Sequence, residues 1–530
     1  MAAVALLAVA PWLPAAAQSH EHMDMAMPMP PKAKPKPKPA KPRPRTPRPA
    51  PRSAAAPVAP ADTTHRPAPA PPMDGMKMDG VKPIETPKTG QMDGMNGMNM
   101  PAADTSPAPA SQMDMAMPGM SHAYSRNLPM SRNGSATSWQ PDQTPMYMWL
   151  QHRGPWMLMY HAGAYARYAR QNFNHANGRG HANALDGPNW GMAMAQREIG
   201  ARGLLNLSLM VSLDPLTETL GGYPLLFQTG ESYKGQPLID KQHPHDLISG
   251  LSVGYTHAFS PDVDLSLYLG YPGEPAIGPV AFMHRLSAMP NPDAPLSHHW
   301  TDATHITFGV ATLGLRYRQF KLEGSNFTGR EPDEHRYNFD RPRADSWAGR
   351  FSWNPTSGLA LQASRAFIRS PEDLHPDENV TRTTVSVLHS RAWGERRYLA
   401  SALVWGMNEG HAARPEHAVL AETNLSLGRP TFYGRYEFVQ KDEEELGLEF
   451  RDADQHRLYP VFNIHALTLG ASYRLTGDGT KGPEVHLGGQ LMGYLPDELL
   501  KGLYGSTPLS ASVYLRLNAP WMSAKSMGGM

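Results

Sequence analysis

The stretch VDLSLYLGY (Val263–Tyr271) alternates between two kinds of side chain at successive positions. In an extended strand, successive side chains point to opposite faces, so a period of two gives the strand two different sides. One face carries Val263, Leu265, Leu267, Leu269 and Tyr271, and the other carries Asp264, Ser266, Tyr268 and Gly270. The stretch is therefore predicted to be a strand with an apolar environment on one side and a more polar one on the other.

The same alternation returns later, in VLAETNLSLG (Val419–Gly428), LTLGASYRL (Leu467–Leu475) and LSASVYLRLN (Leu509–Asn518). Period-two runs of about ten residues with one apolar face are typical of transmembrane β-barrels. The opposite faces are rich in Gly, Ser, Arg and Asp, which suits a hydrated lumen better than the outer face of the alternative, a periplasmic all-β domain. The fold is therefore predicted to be all-β, an antiparallel transmembrane barrel of about 14–16 strands over residues 146–520.

The two ends of the chain differ from this body. The start MAAVALLAVAPWLPAAAQ is apolar and ends in small residues, which predicts a signal peptide over residues 1–17. Residues 18–145 are predicted to be a disordered tail, because no Phe, Trp, Tyr or Leu occurs between Ser19 and His122 to support a core. Residues 521–530 are predicted to be a short C-terminal tail. The chain has no Cys and no long apolar run, which excludes disulfides, thiolate metal sites and a transmembrane helix.

Methionine repeats mark the N-terminal tail, where methionine has no packing role. Thioether sulfur is a soft, uncharged ligand that prefers soft ions, Cu(I) above all, and neighbouring Asp and His side chains suit Cu(II). The tail is therefore predicted to bind copper, and the alternative is low-complexity drift without a ligand. The predicted ligands are Met23, Met25, Met27, Met29, Met73, Met76, Met78, Met92, Met95, Met98, Met100, Met113, Met115, Met117, Met120, His20, His22 and His122.

Two long stretches of the body interrupt the alternation, one over residues 223–246 and one over residues 278–306. Imidazole together with carboxylate suits Cu(II) or Zn(II), so these stretches are a candidate for a second metal site. The alternative is that these histidines form hydrogen bonds that only pin the loops. The candidate ligands are His243, His245, Asp246, His298, His299, Asp302 and His305. Ser297 precedes His298, which leaves a Ser–His hydrolase as a further alternative.

The exported N-terminus, the four methionine repeats and the C-terminal barrel together resemble the copper resistance protein B family of Gram-negative outer membranes. The repeats that carry this resemblance are Met23–Met29, Met73–Met78, Met92–Met100 and Met113–Met120. The family implies copper binding at the outer membrane, copper tolerance or efflux, and no established catalysis. The barrel stretches YPLLFQTGE, QHPHD and LSHHWTDATHI instead resemble a second, largely uncharacterised group of bacterial outer-membrane proteins.

These observations predict an outer-membrane protein whose periplasmic tail binds copper and contributes to copper tolerance or efflux, without catalytic residues. Its predicted partners are outer-membrane lipid, copper ions, and periplasmic copper carriers or efflux components. A formal net charge of +1 gives no global basis for binding nucleic acid, which is excluded from the predicted partners. The alternative functions are a general porin or solute channel with an incidental tail, and an outer-membrane hydrolase.

Overall fold

The computed structural model describes residues 124–218, 221–410, 412, 414–478 and 482–522. Sixteen long antiparallel strands form a closed barrel, which confirms the predicted fold and strand number. In chain order these strands are β1 (Trp156–Gln171), β2 (Asn189–Ile199), β3 (Gly203–Val211), β4 (Ile248–Ser260), β5 (Val263–Gly270), β6 (Val310–Tyr317), β7 (Phe320–Phe327), β8 (Ser346–Thr356), β9 (Leu359–Arg369), β10 (Asn379–Gly394), β11 (Arg397–Glu409), β12 (Glu416–Leu427), β13 (Pro430–Asp442), β14 (Val461–Arg474), β15 (Glu484–Leu495) and β16 (Leu509–Asn518).

The barrel closes where β1 meets β16, with Gly163 opposite Asn518 and Arg170 opposite Ala511. Two short strands complete the edges of β1. On the side of β1 that pairs with β16, the first half of β1 pairs with the short strand Trp149–Arg153. On the side that pairs with β2, the second half of β1 pairs with the short strand Ala182–Asp186. Closure pairs the backbone of the first and last strands, so the described barrel has no open edge at this seam.

The two faces of the wall follow the predicted alternation. In β5, the Leu267 side chain is 45% exposed on the outside, whereas Asp264 is only 2% exposed and points into the lumen. The lumen side of the wall carries paired charges, such as Arg350 with Glu323 at 2.9 Å. An outer apolar face suits lipid, and a polar, ion-paired inner face suits a hydrated or protein-filled lumen.

The two ends of the barrel are different. At one end, here called the turn end, strands are joined by turns of two or three residues, at 200–202, 261–262, 318–319, 357–358, 395–396 and 428–429, and by one longer connection, 475–483. At the opposite end, the loop end, long connections include 212–247 and 271–309. β1 begins and β16 finishes at the turn end. Short turns at one end and long loops at the other are typical of outer-membrane barrels.

The remaining elements are short. The helices are α1 (Asp214–Thr217), α2 (His298–Thr301) and α3 (Lys501–Tyr504), and 3₁₀ turns form at Met130–Arg132, Phe282–His284, Ala303–His305 and Glu498–Leu500. Two-residue strands form at Tyr223–Pro224, Ser232–Tyr233, Gln236–Pro237, Lys241–Gln242, Phe450–Arg451 and Arg457–Leu458. Within the part of the chain that the structure describes, no helix has the length and hydropathy needed to cross a membrane.

Residues 124–148, here called the inner segment, lie against the inner wall. The predicted disordered tail over residues 18–145 is wrong for residues 124–145, which contain turns, bridges and buried side chains. Polar contacts join the segment to the rest of the barrel: Ser135 donates to Glu274 of loop 271–309 at 2.9 Å, and Arg350 of β8 donates to the Thr137 hydroxyl at 2.9 Å. Partners that are far away in sequence cannot be predicted from the local content of hydrophobic residues, which is the basis on which disorder was expected.

The loop over residues 271–309, here called the plug loop, crosses the lumen. It contacts the wall on widely separated strands: Arg285 pairs with Glu422 of β12 at 2.6 Å, and Tyr514 of β16 donates to the carbonyl of Pro290 at 2.6 Å. Asn408 of β11 donates to the carbonyl of His299 at 3.1 Å. These contacts fix the loop inside the barrel, where its histidines meet those of loop 212–247.

Candidate metal centre

Three buried imidazoles meet where loop 212–247 touches the plug loop. His245 comes from the first loop, His298 begins α2, and His305 lies on the 3₁₀ turn that follows. The Nε2 atoms of His245 and His305 are 3.4 Å apart. The ring centroid of His305 lies 5.4 Å from that of His245 and 5.1 Å from that of His298. The three side chains, here called the histidine centre, are between 0% and 9% exposed.

Each imidazole of the histidine centre is held at its Nδ1 atom by an acceptor. His245 faces Asp214 Oδ2 at 2.8 Å, and His298 faces Asp302 Oδ1 at 2.8 Å. His305 faces the backbone carbonyl of Asp302, also at 2.8 Å. An acceptor at Nδ1 fixes the proton there and leaves the Nε2 lone pair available, which is how metal-binding histidines are usually oriented.

His298 shows most clearly that the centre lacks a partner. Its Nε2 is fully buried and has no hydrogen-bond partner among the described residues. A buried polar atom without a partner is costly, because its hydrogen bonds to water have been lost. A cation bound between His245 and His305 would satisfy the His298 lone pair as well once His298 moved toward those two rings.

A second pair of imidazoles lies beside the histidine centre. The ring centroids of His243 and His299 are 5.6 Å apart, and that of His243 lies 6.0 Å from that of His298. Each ring faces a carboxylate: His243 Nε2 is 3.2 Å from Glu231, and His299 Nδ1 is 3.5 Å from Glu331. This pair supplies further imidazole nitrogen close to the centre. His243 Nε2 already faces Glu231, whereas His299 Nε2, like that of His298, is buried without a hydrogen-bond partner among the described residues.

Burial sets the protonation of these loop histidines. It lowers the pKa of His243 and His305, and the surrounding imidazoles lower both values further. For His298, burial outweighs the opposing effect of Asp302, so its pKa also lies below the ordinary value. Burial acts the same way on His299, but the Glu331 carboxylate raises that pKa by more. Neutral imidazoles are the form that binds a metal ion.

Asp246, a predicted ligand, has a different partner. Its carboxylate lies 3.6 Å from Arg336, which also pairs with Glu231 at 2.5 Å. Asp302 likewise acts through His298 and His305, since its carboxylate and carbonyl hold the two rings. The structure therefore places these two carboxylates around the imidazoles as supports, while the Nε2 atoms of His245 and His305 face each other.

The spacing of the nitrogens fits a metal ion in part. Zinc–nitrogen bonds of about 2.0–2.1 Å place two imidazole nitrogens of a tetrahedral site about 3.3 Å apart, close to the 3.4 Å between His245 and His305. Within the described ranges, Asp452, Asp454 and His456 are the group that brings three ligand atoms within 4.8 Å of one another, and they lie in the partly exposed loop 443–460. The histidine centre is wider than that group, so a bound ion would draw His298 toward the other two rings.

The hydrolase alternative gains no support from the position of Ser297. The Ser297 hydroxyl donates to Glu437 of β13 at 3.3 Å, and its backbone amide donates to the same oxygen at 3.2 Å. His298 directs Nδ1 to Asp302. The predicted ligands of the tail, from His20 to His122, lie outside the described residues.

A closed sixteen-stranded barrel with an apolar outer face, a polar lumen, short turns at one end and long loops at the other defines the class of outer-membrane β-barrels. The chain matches no family model and no curated protein. Among solved structures it is similar to three outer-membrane proteins in particular. OmpF of Salmonella typhi in complex with daunomycin is 11% identical, with 70% of this chain and 100% of that chain covered and a TM-score of 0.42.

A loop L8 deletion mutant of OmpT, an outer membrane protein of Vibrio cholerae, is 7% identical, with 69% of this chain and 99% of that chain covered and a TM-score of 0.40. An anion-selective porin from Comamonas acidovorans is 10% identical, with 68% and 99% covered and a TM-score of 0.39. At these identities and TM-scores, no functional residue of those proteins carries over to this chain.

Proposed function

We propose that this protein is an outer-membrane barrel that binds copper at the histidine centre in its lumen and through its methionine-rich tail, and so contributes to copper tolerance or efflux. The observation that carries the proposal is the set of three buried imidazoles, His245, His298 and His305, each held at Nδ1, with the Nε2 atoms of His245 and His305 3.4 Å apart. If the histidines only pinned the loops through hydrogen bonds, the buried Nε2 atom of His298 would be expected to have a hydrogen-bond partner, and it has none among the described residues.

Copper is the metal that fits both parts of the chain. Neutral imidazoles bind Cu(II) more tightly than the other divalent first-row ions, Zn(II) included, in a site of given geometry. The methionine repeats of the tail are soft ligands for Cu(I). Zn(II) is the competing ion at the histidine centre alone, and the tail gives no reason to expect it.

The proposed arrangement in the membrane follows from the two ends of the barrel. Outer-membrane barrels have short periplasmic turns and long extracellular loops, so the turn end is assigned to the periplasm. The described chain begins at this end: Arg126 pairs with Glu198 at 2.6 Å and donates to the carbonyl of Gly200 at 2.8 Å. In this proposal the tail that precedes residue 124 is on the periplasmic side, where copper carriers or efflux components exchange ions with it.

A general porin or solute channel is the second candidate function. The polar inner wall favours it, with arginines in ion pairs such as Arg435 with Glu422 at 3.0 Å and Arg167 with Asp186 at 2.7 Å. The two candidates differ in what the plug loop does. A solute channel needs a path past this loop, whereas a metal-binding barrel needs the loop in place to present His298 and His305.

The proposal is tested by counting the copper ions bound to the full-length protein. The His245→Gln/His305→Gln double variant removes two ligands and leaves the tail unchanged, so the tail's contribution cancels in the difference. We expect the variant to bind one Cu(II) fewer than the unmodified protein. The matched control is His389→Gln, which should bind as many ions as the unmodified protein. His389 lies near the turn end of β10, paired with Leu359 and Ser401, and alternates with the buried, lumen-facing Leu388 and Ser390, so its side chain is on the outer face.

Equal copper content in all three proteins would refute a metal site at the histidine centre. Copper sensitivity of cells carrying each form then tests the physiological part of the proposal. Unchanged tolerance when both the histidine centre and the tail are removed would leave the solute channel as the better account.

A further inference from the structure

The inner face of the first two barrel strands carries methionine and histidine where a barrel lumen is usually polar. In the register of β1 with β2, Met159 lies opposite Met194, and His161 lies opposite Met192. Side chains at directly opposed positions of antiparallel strands have Cβ atoms about 4.5–5.5 Å apart. One pair of thioethers and one pair of a thioether with an imidazole are therefore held side by side on this part of the wall.

The choice of residue depends on the face of the strand. On β1, Leu158 and Tyr160 face the lipid. Met157, Met159 and His161 alternate with them and therefore face the lumen. On β3 the exposed outer positions are Leu207 and Leu209. If these strands needed only apolar bulk, leucine would serve on both faces. On β1, β2 and β3, methionine is instead confined to the inner face.

These side chains line a cavity of about 190 Å³ inside the barrel. The wall contributes Met159, Met192 and Met194, and the plug loop contributes Met283 and Met289. His161 and His284 lie among them, with the ring of His284 4.6 Å from that of Trp190 on β2. We call this cavity the methionine chamber. It gathers at least five thioether sulfurs and two imidazoles around one space.

The chamber connects two places that the proposed function already uses. Toward the histidine centre, its lining includes His243 and His245. Toward the turn end, it includes Met146 and Met148 of the inner segment, whose backbones pair with the C-terminal end of the barrel: Met148 donates to the carbonyl of Pro520 at 3.0 Å, and Met522 donates to that of Met146 at 3.0 Å. Soft ligands thus extend from the turn end to the imidazoles.

We propose that the methionine chamber is a binding site for a soft monovalent cation, Cu(I) or Ag(I), formed by the thioethers of Met159, Met192 and Met194 with His161 or His284 as a nitrogen ligand. Uncharged sulfur and neutral nitrogen ligands suit a soft monovalent ion and disfavour hard cations such as Mg²⁺ or Ca²⁺. The ion keeps its charge throughout, so no oxidant or reductant is required. This site extends the proposed function, because it adds a Cu(I) site between the turn end and the histidine centre. The chamber and the histidine centre can each be refuted without the other.

The test uses Ag(I), which is soft and stable in air, and the full-length protein. The Met159→Leu/Met194→Leu variant keeps the apolar volume and removes two sulfurs from the wall. The matched control is Met407→Leu on β11. Met407 lies on the same outer face of that strand as Leu403, which is 54% exposed. We expect the double variant to bind one Ag(I) fewer than the unmodified protein and the control to bind the same number. Equal binding by all three would overturn the proposal.

A second measurement does not depend on the variants folding. Crystals of the unmodified protein soaked in Ag(I) should show an anomalous difference peak within the methionine chamber, and a peak confined to the histidine centre would overturn the proposal. The His245→Gln/His305→Gln variant separates the two sites. If it loses Cu(II) and keeps its Ag(I), both proposals stand. If it keeps its Cu(II) while the chamber variant loses Ag(I), the histidine centre fails and the chamber stands.

Discussion

Replacing Asp302 with asparagine tests whether the histidine centre is built to bind a metal. The Asp302 side chain holds His298 Nδ1 at 2.8 Å, and it also accepts from the backbone amide of Phe282 at 2.8 Å. Asparagine has nearly the same shape but only one acceptor oxygen. With that oxygen on His298, its NH2 group replaces the acceptor of the Phe282 amide, so the variant also loses one hydrogen bond within the loop. What Asp302→Asn removes is the negative charge behind the His298 ring, which makes its Nε2 a weaker donor to a cation.

The size of the effect follows from how many ligands Asp302 supports. Loss of an outer carboxylate typically weakens metal binding by about 10–100-fold. The Asp302 side chain supports one of the three rings, because His305 is held by the backbone carbonyl and His245 by Asp214. The asparagine oxygen also preserves the tautomer of His298. We therefore expect the lower limit, about tenfold weaker binding, or about 1.4 kcal/mol.

The assay is a competition titration of Cu(II) against a chromophoric chelator, with the full-length protein in detergent. The matched control is Asp293→Asn, a second buried carboxylate of the plug loop, which contacts Arg167 and Gln490 instead of an imidazole. Its affinity should equal that of the unmodified protein. If Asp302→Asn binds Cu(II) as tightly as this control, or if both lose the same amount, the inference that Asp302 orients a metal ligand is refuted.

Three further predictions concern the barrel and its loops. Leu267→Arg places a charge on the lipid face and should cost about 2–4 kcal/mol of folding free energy in vesicles; no loss would contradict the outward orientation. Asp293→Ala removes a partner of Arg167 from the plug loop, so single-channel conductance should rise, and unchanged conductance would argue against a blocking role. Burial raises the pKa of Asp240 to about 6, and its carboxylate accepts from the Phe227 amide. Because the folded loop then binds the proton more tightly than the unfolded one, hydrogen-exchange protection of Phe227 should increase as the pH falls from 6 toward 4, a dependence that Asp240→Asn should abolish.

The barrel was predictable because a period of two is a strong constraint. A shift of one residue would exchange the lipid-facing and lumen-facing sets, so a strand such as Val263–Gly270 has only one acceptable orientation. The inner segment was not predictable in the same way. Ser135 and Thr137 gain their partners, Glu274 of the plug loop and Arg350 of β8, only when the barrel has formed, and an argument from composition counts them as solvent-exposed residues of a tail.

The candidate site was predictable only in its most conspicuous residues. The histidines of loop 212–247 and of the plug loop are closely spaced in sequence, so they can be recognised as candidate ligands. Asp214, Glu231 and Glu331 contact them only through the folded loops, and no local sequence pattern predicts those contacts. The methionine chamber was missed because methionine alternates in a strand like any other apolar residue. A signal did exist in MLMYH (Met157–His161), where methionine and histidine share one parity and leucine and tyrosine the other.

The central claim is that imidazoles inside the barrel bind a transition-metal ion, and electron paramagnetic resonance tests it most directly. Full-length protein carrying ¹⁵N-labelled histidine is loaded with one equivalent of Cu(II), and the hyperfine couplings to the ligand nitrogens are recorded. The predicted result is coupling to three histidine nitrogens in the unmodified protein and to fewer in the His298→Gln variant. A spectrum dominated by oxygen ligands, or one that is identical in the unmodified protein and in the His245→Gln/His305→Gln variant, would contradict it.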